Sequence, residues 1–263
     1  MTRRVARRGE FFVCRLRKKD IRRDISVLFR EYPERKVFPE RMMTMVKICE
    51  LFDLSRSLAG EYLAGFAFPW QALSGIGEMV LELTHQLGCD YSQIDRDVWA
   101  HGTAEVASTA ALVGPCIIGP ETVIRPGAYI RGNVLVGQGC VIGNSTELKN
   151  AILFDGVQVP HYNYVGDSIL GYKSHMGAGS ITSNVKSDKT LIAVKNGNEK
   201  IETGLKKFGA MLGDFVEIGC GTVLNPGSVI GRNTNIYPLS CVRGCVPENS
   251  IYKTGGIIVA KGE

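Results

Sequence analysis

The chain has 263 residues, 44% of them hydrophobic, which is enough for one sizeable core with at most a small appendage. Its net charge of +5 sits at the start: residues 1–41 hold 14 Lys/Arg against 6 Asp/Glu, whereas the remainder holds 17 against 20. A body at −3 carries no nucleic-acid footprint, and no apolar stretch is long enough to span a membrane.

Residues 1–44 form a basic extension without the apolar run of a signal peptide. It reads as a solvated, disordered arm, as the product of an early start codon (Met42, Met43 and Met45 precede the first patterned segment), or as an anion-binding tail. The first two are preferred, because charge runs are usually solvated.

Residues 45–95 are expected to be a helical cap. Ile48, Leu51, Phe52 and Leu54 have helical spacing, and Ser55 is placed to cap a helix through Leu58–Leu63. Ile76–Leu87 reads as an amphipathic helix ending at Gly88. The cap is expected to close one end of the domain that follows, covering open strand edges.

From residue 96 the periodicity changes. Steps of six from Val106 land on Leu112, Ile118, Ile124, Ile130, Val136, Ile142 and Leu148, and a second run joins Leu212, Ile218, Leu224, Ile230, Ile236 and Val242. Four residues after each anchor stands a small or β-branched residue, among them Cys116, Thr122, Cys140, Thr222 and Ser228. Neither helix nor simple strand gives a period of six. A chain that turns a corner every six residues does, so three short strands make an 18-residue coil and coils stack at ~4.8 Å. Anchors fill the interior, and Cys116 and Cys140 are expected to be packing thiols. Gly119, Gly137, Gly143, Gly219 and Gly231 follow their anchors, where a bend favours the residue without a Cβ. Residues 183–211 leave the repeat, and Leu191–Lys195, Asn196-Gly197 and Lys200–Glu202 read as an ejected β-hairpin. Residues 254–263 are read as a tail.

Exceptions to the repeat mark candidate chemistry. Cations follow three anchors: Arg125, Arg131 and Lys149. Arg131 and Lys149 should stack one coil apart, and they must either splay into solvent or share an anion. His161 sits at a period slip beside Tyr162, Asn163, Tyr164 and Asp167, with Glu147 upstream. A histidine oriented by a carboxylate can take a proton from an amine attacking a thioester. Gly177-Ala178-Gly179 offers backbone N–H groups to a carbonyl oxygen.

The strings IRPGA, TELK, PH-x-x-YVGDS, GAG-x-IT-x-N and KKFGA-x-LGD are specific. Over residues 98–253 they resemble the acetyltransferase domain of the bacterial bifunctional glucosamine-1-phosphate acetyltransferase/UDP-N-acetylglucosamine pyrophosphorylase family and its archaeal sugar-1-phosphate counterparts. The resemblance implies a mostly β fold, a left-handed parallel β-helix over 96–253 with a small N-terminal helical region and an ejected hairpin loop. It implies acetyl-CoA as co-substrate, an amino-sugar phosphate as acceptor, no metal for the transfer, and a homotrimer with shared sites. It makes His161 the general base, with Glu147 in orientation or support. It assigns Arg125, Lys149 and Tyr164 to the sugar phosphate and Asn184 to the sugar near the amine. The Ala178 N–H falls on the thioester carbonyl, with Gly219-Cys220 and Tyr237-Pro238 as the pantetheine wall. The family's loop lysine has Lys189 as its better match and Lys186 as its second. The chain departs from the family in lacking the nucleotide signature of a pyrophosphorylase and in holding His175 where the family has Asn.

The eight cysteines form no CxxC pair and read as reduced thiols of a cytoplasmic protein. Zinc hydration chemistry on this fold needs three histidine ligands, and His85, His101, His161 and His175 are too dispersed for it. A non-catalytic scaffold would have no need of the Glu147/His161/Tyr164/Asn184 set. An acyltransferase with another sugar acceptor stays open.

Overall fold

The computed structural model describes residues 46–262. Every described residue belongs to one compact unit. The basic extension 1–44 lies outside the described residues.

From Val98 onward short parallel strands stack in three columns, which form the faces of a prism. The first face runs from Val98–His101 to Cys245–Val246, the second from Glu105–Val106 to Ser250–Lys253, and the third from Ala111–Leu112 to Cys241–Val242. This is the parallel β-helix that the hexapeptide pattern implies, with the left hand that the family resemblance implies. Anchors from Ile118 to Leu148 and from Leu212 to Val242 are almost completely buried, as are the small residues between them. Burial drives the Cys116 and Cys140 thiols up to about 12, in keeping with packing roles. Every described cysteine is a free thiol.

The coil length changes along the prism. Val98, Cys116 and Val134 pair at intervals of 18, then Ala151 and Ser168 follow at 17. The residue is lost where the third face passes into the first. Strands Glu147–Leu153 and Tyr164–Leu170 turn that corner without a break, on Asn150 and Asp167 in the left-handed region at φ 49° and 48°. Asn and Asp tolerate that conformation better than most side chains. Register then resumes across the insertion, Ile169 pairing with Met211.

The glycines after the anchors have a different cause from the expected bend. None of Gly119, Gly137, Gly143, Gly219 and Gly231 has a positive φ. Each lies against the backbone of the next coil. A Cβ on Gly143 would stand 1.5 Å from the Pro160 carbonyl oxygen, and one on Gly219 would stand 2.3 Å from the Pro238 nitrogen. Close coil stacking, not backbone freedom, requires them.

The helices also differ from expectation. Helix α1 is Ile48–Leu51, α2 is Gly60–Ala64 and α3 is Ile76–Thr84, shorter than the expected Ile76–Leu87. Ser55 does not cap a helix but lies in a 3-10 turn, Leu54–Arg56, whose N-cap is Asp53. The helical layer does not close the end of the prism. It lies along the first face, where α3 meets Cys116–Ile118, Val134–Val136 and Glu147–Leu153. The reason is a second aliphatic column, Ile117, Leu135, Ile152, Ile169, Met211 and Val229, which points outward from that face and is buried. Covering each of these side chains is worth roughly 1.5–3 kcal/mol. Aromatic contacts Phe52–Phe154 at 5.1 Å and Trp70–Phe208 at 5.8 Å extend the layer. The buried Asp214 carboxylate accepts from the Asp53 and Tyr172 backbone N–H groups and tacks layer to prism.

The ends are closed by antiparallel strands instead: Tyr91–Asp95 on Val98–His101, and Ile257–Ala260 on Ser250–Lys253. The residues read as a tail are therefore an edge strand. The ejected hairpin is present as Ala193–Asn196 and Glu199–Glu202, its turn at Gly197-Asn198, one residue later than expected. It folds back on the strands Ser228–Ile230 and Cys245–Val246, burying Ile192 and Val194.

Gly143→Ala is expected to lower the unfolding free energy by about 3 kcal/mol or more, because the Pro160 backbone must move. Gly88→Ala, with nothing within 4 Å of the added carbon, should stay within about 0.5 kcal/mol of the parent in urea unfolding.

Candidate functional site

The residues singled out by sequence gather on the third face and its two edges. The edge between the second and third faces carries a straight column. Gly179 N–H donates to the His161 carbonyl at 3.0 Å, Gly221 N–H to Ala178 at 2.8 Å and Leu239 N–H to Cys220 at 2.9 Å. His161, Ala178, Cys220 and Pro238 thus occupy successive coils along one line of ~14 Å, and all four are exposed. The His161 ring makes no hydrogen bond among the described residues. The Ala178 N–H likewise has no acceptor among them, and Ala178 is exposed one coil from His161.

The opposite edge, where the third face meets the first, holds a polar network centred on the buried Asp167. One carboxylate oxygen faces Lys149 Nζ at 3.4 Å and accepts from Asn184 Nδ2. The other accepts from Asn150 Nδ2 at 3.0 Å. Asn150 also donates to the Leu73 carbonyl, which ties the network to the helical layer, and Asn184 donates to the Tyr164 hydroxyl at 3.1 Å. With three donors the carboxylate is well compensated for its burial. Burial raises the Tyr164 phenol above its ordinary range, and the Asp167 and Glu147 charges add to that, so it stands as a neutral O–H.

Between the edges lies the pair Arg131–Glu147 at 2.5 Å. Hydrogen bonding to Glu147 raises the Arg131 guanidinium further above its ordinary value. Arg131 and Lys149 do stack one coil apart, but neither splays freely nor shares an anion with the other. Each is matched by its own carboxylate from the following coil, Glu147 and Asp167. Glu147 consequently bonds Arg131 and not His161, contrary to the expected orientation of the histidine.

Arg125 stands apart. It follows the second-face strand Val123–Ile124, at the opposite end of the third face from Lys149, and Arg131 is the arginine beside Lys149, Glu147 and Tyr164. Lys189 is exposed in the insertion with φ 57°, while Lys186 is paired with Asp188 and Thr190. The histidine that does meet a carboxylate is His175, with Nδ1 2.9 Å from Glu217 in register on the second face. Asn150 and the central role of Asp167 were missed in the sequence. The signal was available: Asp167 follows Lys149 by 18 residues and precedes Asn184 by 17, which is one coil in each direction. Among the described residues no group of three or more His, Cys, Asp or Glu side chains is placed to hold a metal.

Fold and repeat define a hexapeptide-repeat β-helix protein. Residues 112–202 match the family model described as the GMPPB C-terminal domain. The acetyltransferase resemblance read from the sequence is borne out among named proteins, whose C-terminal halves align with this chain. "Bifunctional protein GlmU" of Methanococcus vannielii is 34% identical over 140 residues, 52% of this chain and 33% of that protein. The "bifunctional sugar-1-phosphate nucleotidylyltransferase/acetyltransferase" of Sulfurisphaera tokodaii is 32% identical over 128 residues, 49% of this chain and 32% of that one. The chain thus spans about a third of the length of these relatives. Among solved structures, a mutant perosamine N-acetyltransferase from Caulobacter crescentus with CoA and GDP-perosamine is 18% identical, covers 63% of this chain and 57% of its own, and has a TM-score of 0.34.

Asp167→Ala removes the acceptor shared by Lys149, Asn150 and Asn184. It is expected to cost about 3 kcal/mol of stability, measured by urea unfolding. Glu147→Ala, breaking a partly exposed pair, should cost less than about 1 kcal/mol in the same assay.

Proposed function

We propose that this protein transfers the acetyl group of acetyl-CoA to the amine of an amino-sugar phosphate, with glucosamine-1-phosphate as the acceptor of first choice. The observation that carries the reading is the column on the edge: a solvent-facing imidazole, His161, one coil from an unpaired backbone donor, Ala178 N–H. The names of the relatives, which join sugar-1-phosphate chemistry to acetyl transfer, support it.

In this reading the acceptor amine attacks the thioester carbonyl as His161 takes its proton. A C–N bond forms, and the negative charge on the carbonyl oxygen is met by the Ala178 N–H. The C–S bond then breaks, and the departing CoA sulfur takes up the proton from His161. Cys220 and Pro238 wall the pantetheine arm along the same edge. Arg131, in place of Arg125, and Lys149 hold the phosphate by partly exchanging their carboxylate partners for it, with the Tyr164 hydroxyl and Asn184 beside them. Lys189 reaches the site from the insertion. The route calls for no metal. His161 and the phosphate-binding cations lie on opposite edges of one face, so a homotrimer in which neighbouring copies complete each site fits the geometry. The free thiols fit a reducing, cytoplasmic setting. One observation favours a different acceptor sugar: His175, bonded to Glu217, stands where the resembled family has Asn.

The deciding experiment is thiol release from acetyl-CoA with glucosamine-1-phosphate, glucosamine-6-phosphate and glucosamine in parallel. Turnover selective for glucosamine-1-phosphate is expected, and turnover with none of the three would move the search to other acceptors. His161→Ala should lose roughly 10²–10⁴-fold in kcat with the fold intact. Lys149→Ala should raise KM for a phosphorylated acceptor and leave an unphosphorylated one unaffected, as read from initial rates.

A further inference from the structure

The edge that carries His161 and Ala178 has a relief that bears on the acyl group. At its outermost corner, successive coils place Tyr162, Gly179, Gly221 and Leu239, all in the left-handed region at φ 51°, 69°, 67° and 58°. Glycine suits that conformation and bulky side chains do not. Two of the four are nevertheless bulky and stand out from the edge, Tyr162 being 64% exposed and Leu239 83%.

The two glycines between them are not equivalent. Leu239 leans back over Gly221: its Cδ2 lies 2.8 Å from where a Cβ on Gly221 would stand. Above Gly179 nothing comes within 4 Å of the corresponding point. The open part of the edge is therefore a notch one coil wide, over Gly179. Tyr162 walls it on one side and Leu239, folded over Gly221, on the other. Ala178, whose N–H has no acceptor among the described residues, directly precedes Gly179, and His161 is next to Tyr162 in the chain.

We propose that Tyr162 is an acyl-length gate that restricts the donor to short-chain acyl-CoA thioesters. The inference rests on the acyl-transfer reading above. With the thioester carbonyl on the Ala178 N–H and the CoA arm directed along Cys220 and Pro238, the acyl substituent points along the column toward the Tyr162 coil. One coil spacing, ~4.8 Å, separates those backbones. A two-carbon group is accommodated there, and a chain of six carbons meets the tyrosine ring. Leu239 lies over the arm side of the carbonyl, so it bears on every acyl-CoA alike.

The test compares kcat/KM for acetyl-CoA and hexanoyl-CoA in the full chain, with the acceptor on which the parent protein is most active. The parent should favour acetyl-CoA by about a hundredfold or more. Tyr162→Gly, which puts glycine where glycine is favoured, should narrow that ratio by about tenfold or more. Leu239→Gly should raise KM for both thioesters and leave their ratio within about twofold. Should Tyr162→Gly fold but turn over too slowly to assay, the same ratio is read from the binding of the two thioesters. A parent indifferent to chain length, or a ratio unmoved in Tyr162→Gly, overturns the gate while leaving acyl transfer standing. A parent that consumes neither thioester with any acceptor overturns the transfer reading and the gate together.

Discussion

The hydrogen-bonded ladder that stacks one coil on the next governs the whole molecule, because each candidate side chain takes its place from the register of the coils, 18 or 17 residues outside the insertion. The ladder closes only if the backbone of one coil can approach the next at each corner. Gly143 against Pro160 is the tightest expression of that demand, and Gly219 against Pro238 is another. Inside, the aliphatic anchors fill the prism without polar atoms. Buried hydroxyls such as Thr122, Thr146 and Thr234 satisfy themselves on neighbouring backbone carbonyls. A rigid column of this kind can hold exposed groups at fixed spacings without any further support.

Chemistry enters where the register changes. The two corners at Asn150 and Asp167 shorten the coils to 17 residues; the Asn150 amide turns to Asp167 and the Leu73 carbonyl, and the Asp167 carboxylate to Lys149 and Asn184. The same residues thus serve as corner formers and as the centre of the polar network. Their left-handed backbone selects Asn and Asp, and those side chains supply the amide and carboxylate. The cations of the third face consequently arrive already matched by carboxylates. An anionic ligand must compete for them, so its hold depends on charge and geometry together.

The helical layer and the insertion meet on the first face, over its outward aliphatic column. Trp70 on Phe208 and Asn150 on the Leu73 carbonyl connect that cover to the candidate site. The first face is therefore committed to the core of the protein. The second and third faces, with the edge between them, are left to carry His175, His161, Ala178 and Tyr164.

By itself the sequence determined the prism. A period of six with aliphatic anchors has no other compact solution, and the anchors, the small positions and the packing roles of Cys116 and Cys140 were legible at once. So were the identities of most site residues, because departures from a strict repeat are conspicuous. Which of them meet was decided only by the tertiary structure. Glu147 was expected at His161 and is found on Arg131, since side chains on one face pair across coils and not along the chain. Arg131, not Arg125, is found beside Lys149, because a cation that follows a third-face anchor emerges at the opposite end of that face from one that follows a second-face anchor. The helices went to the side of the prism because Ile117, Leu135, Ile152, Ile169, Met211 and Val229 line up only once the 17-residue coils and the insertion are in register. Such a column, spread over more than a hundred residues and broken by changes of period, is assembled by stacking and is invisible to any local pattern.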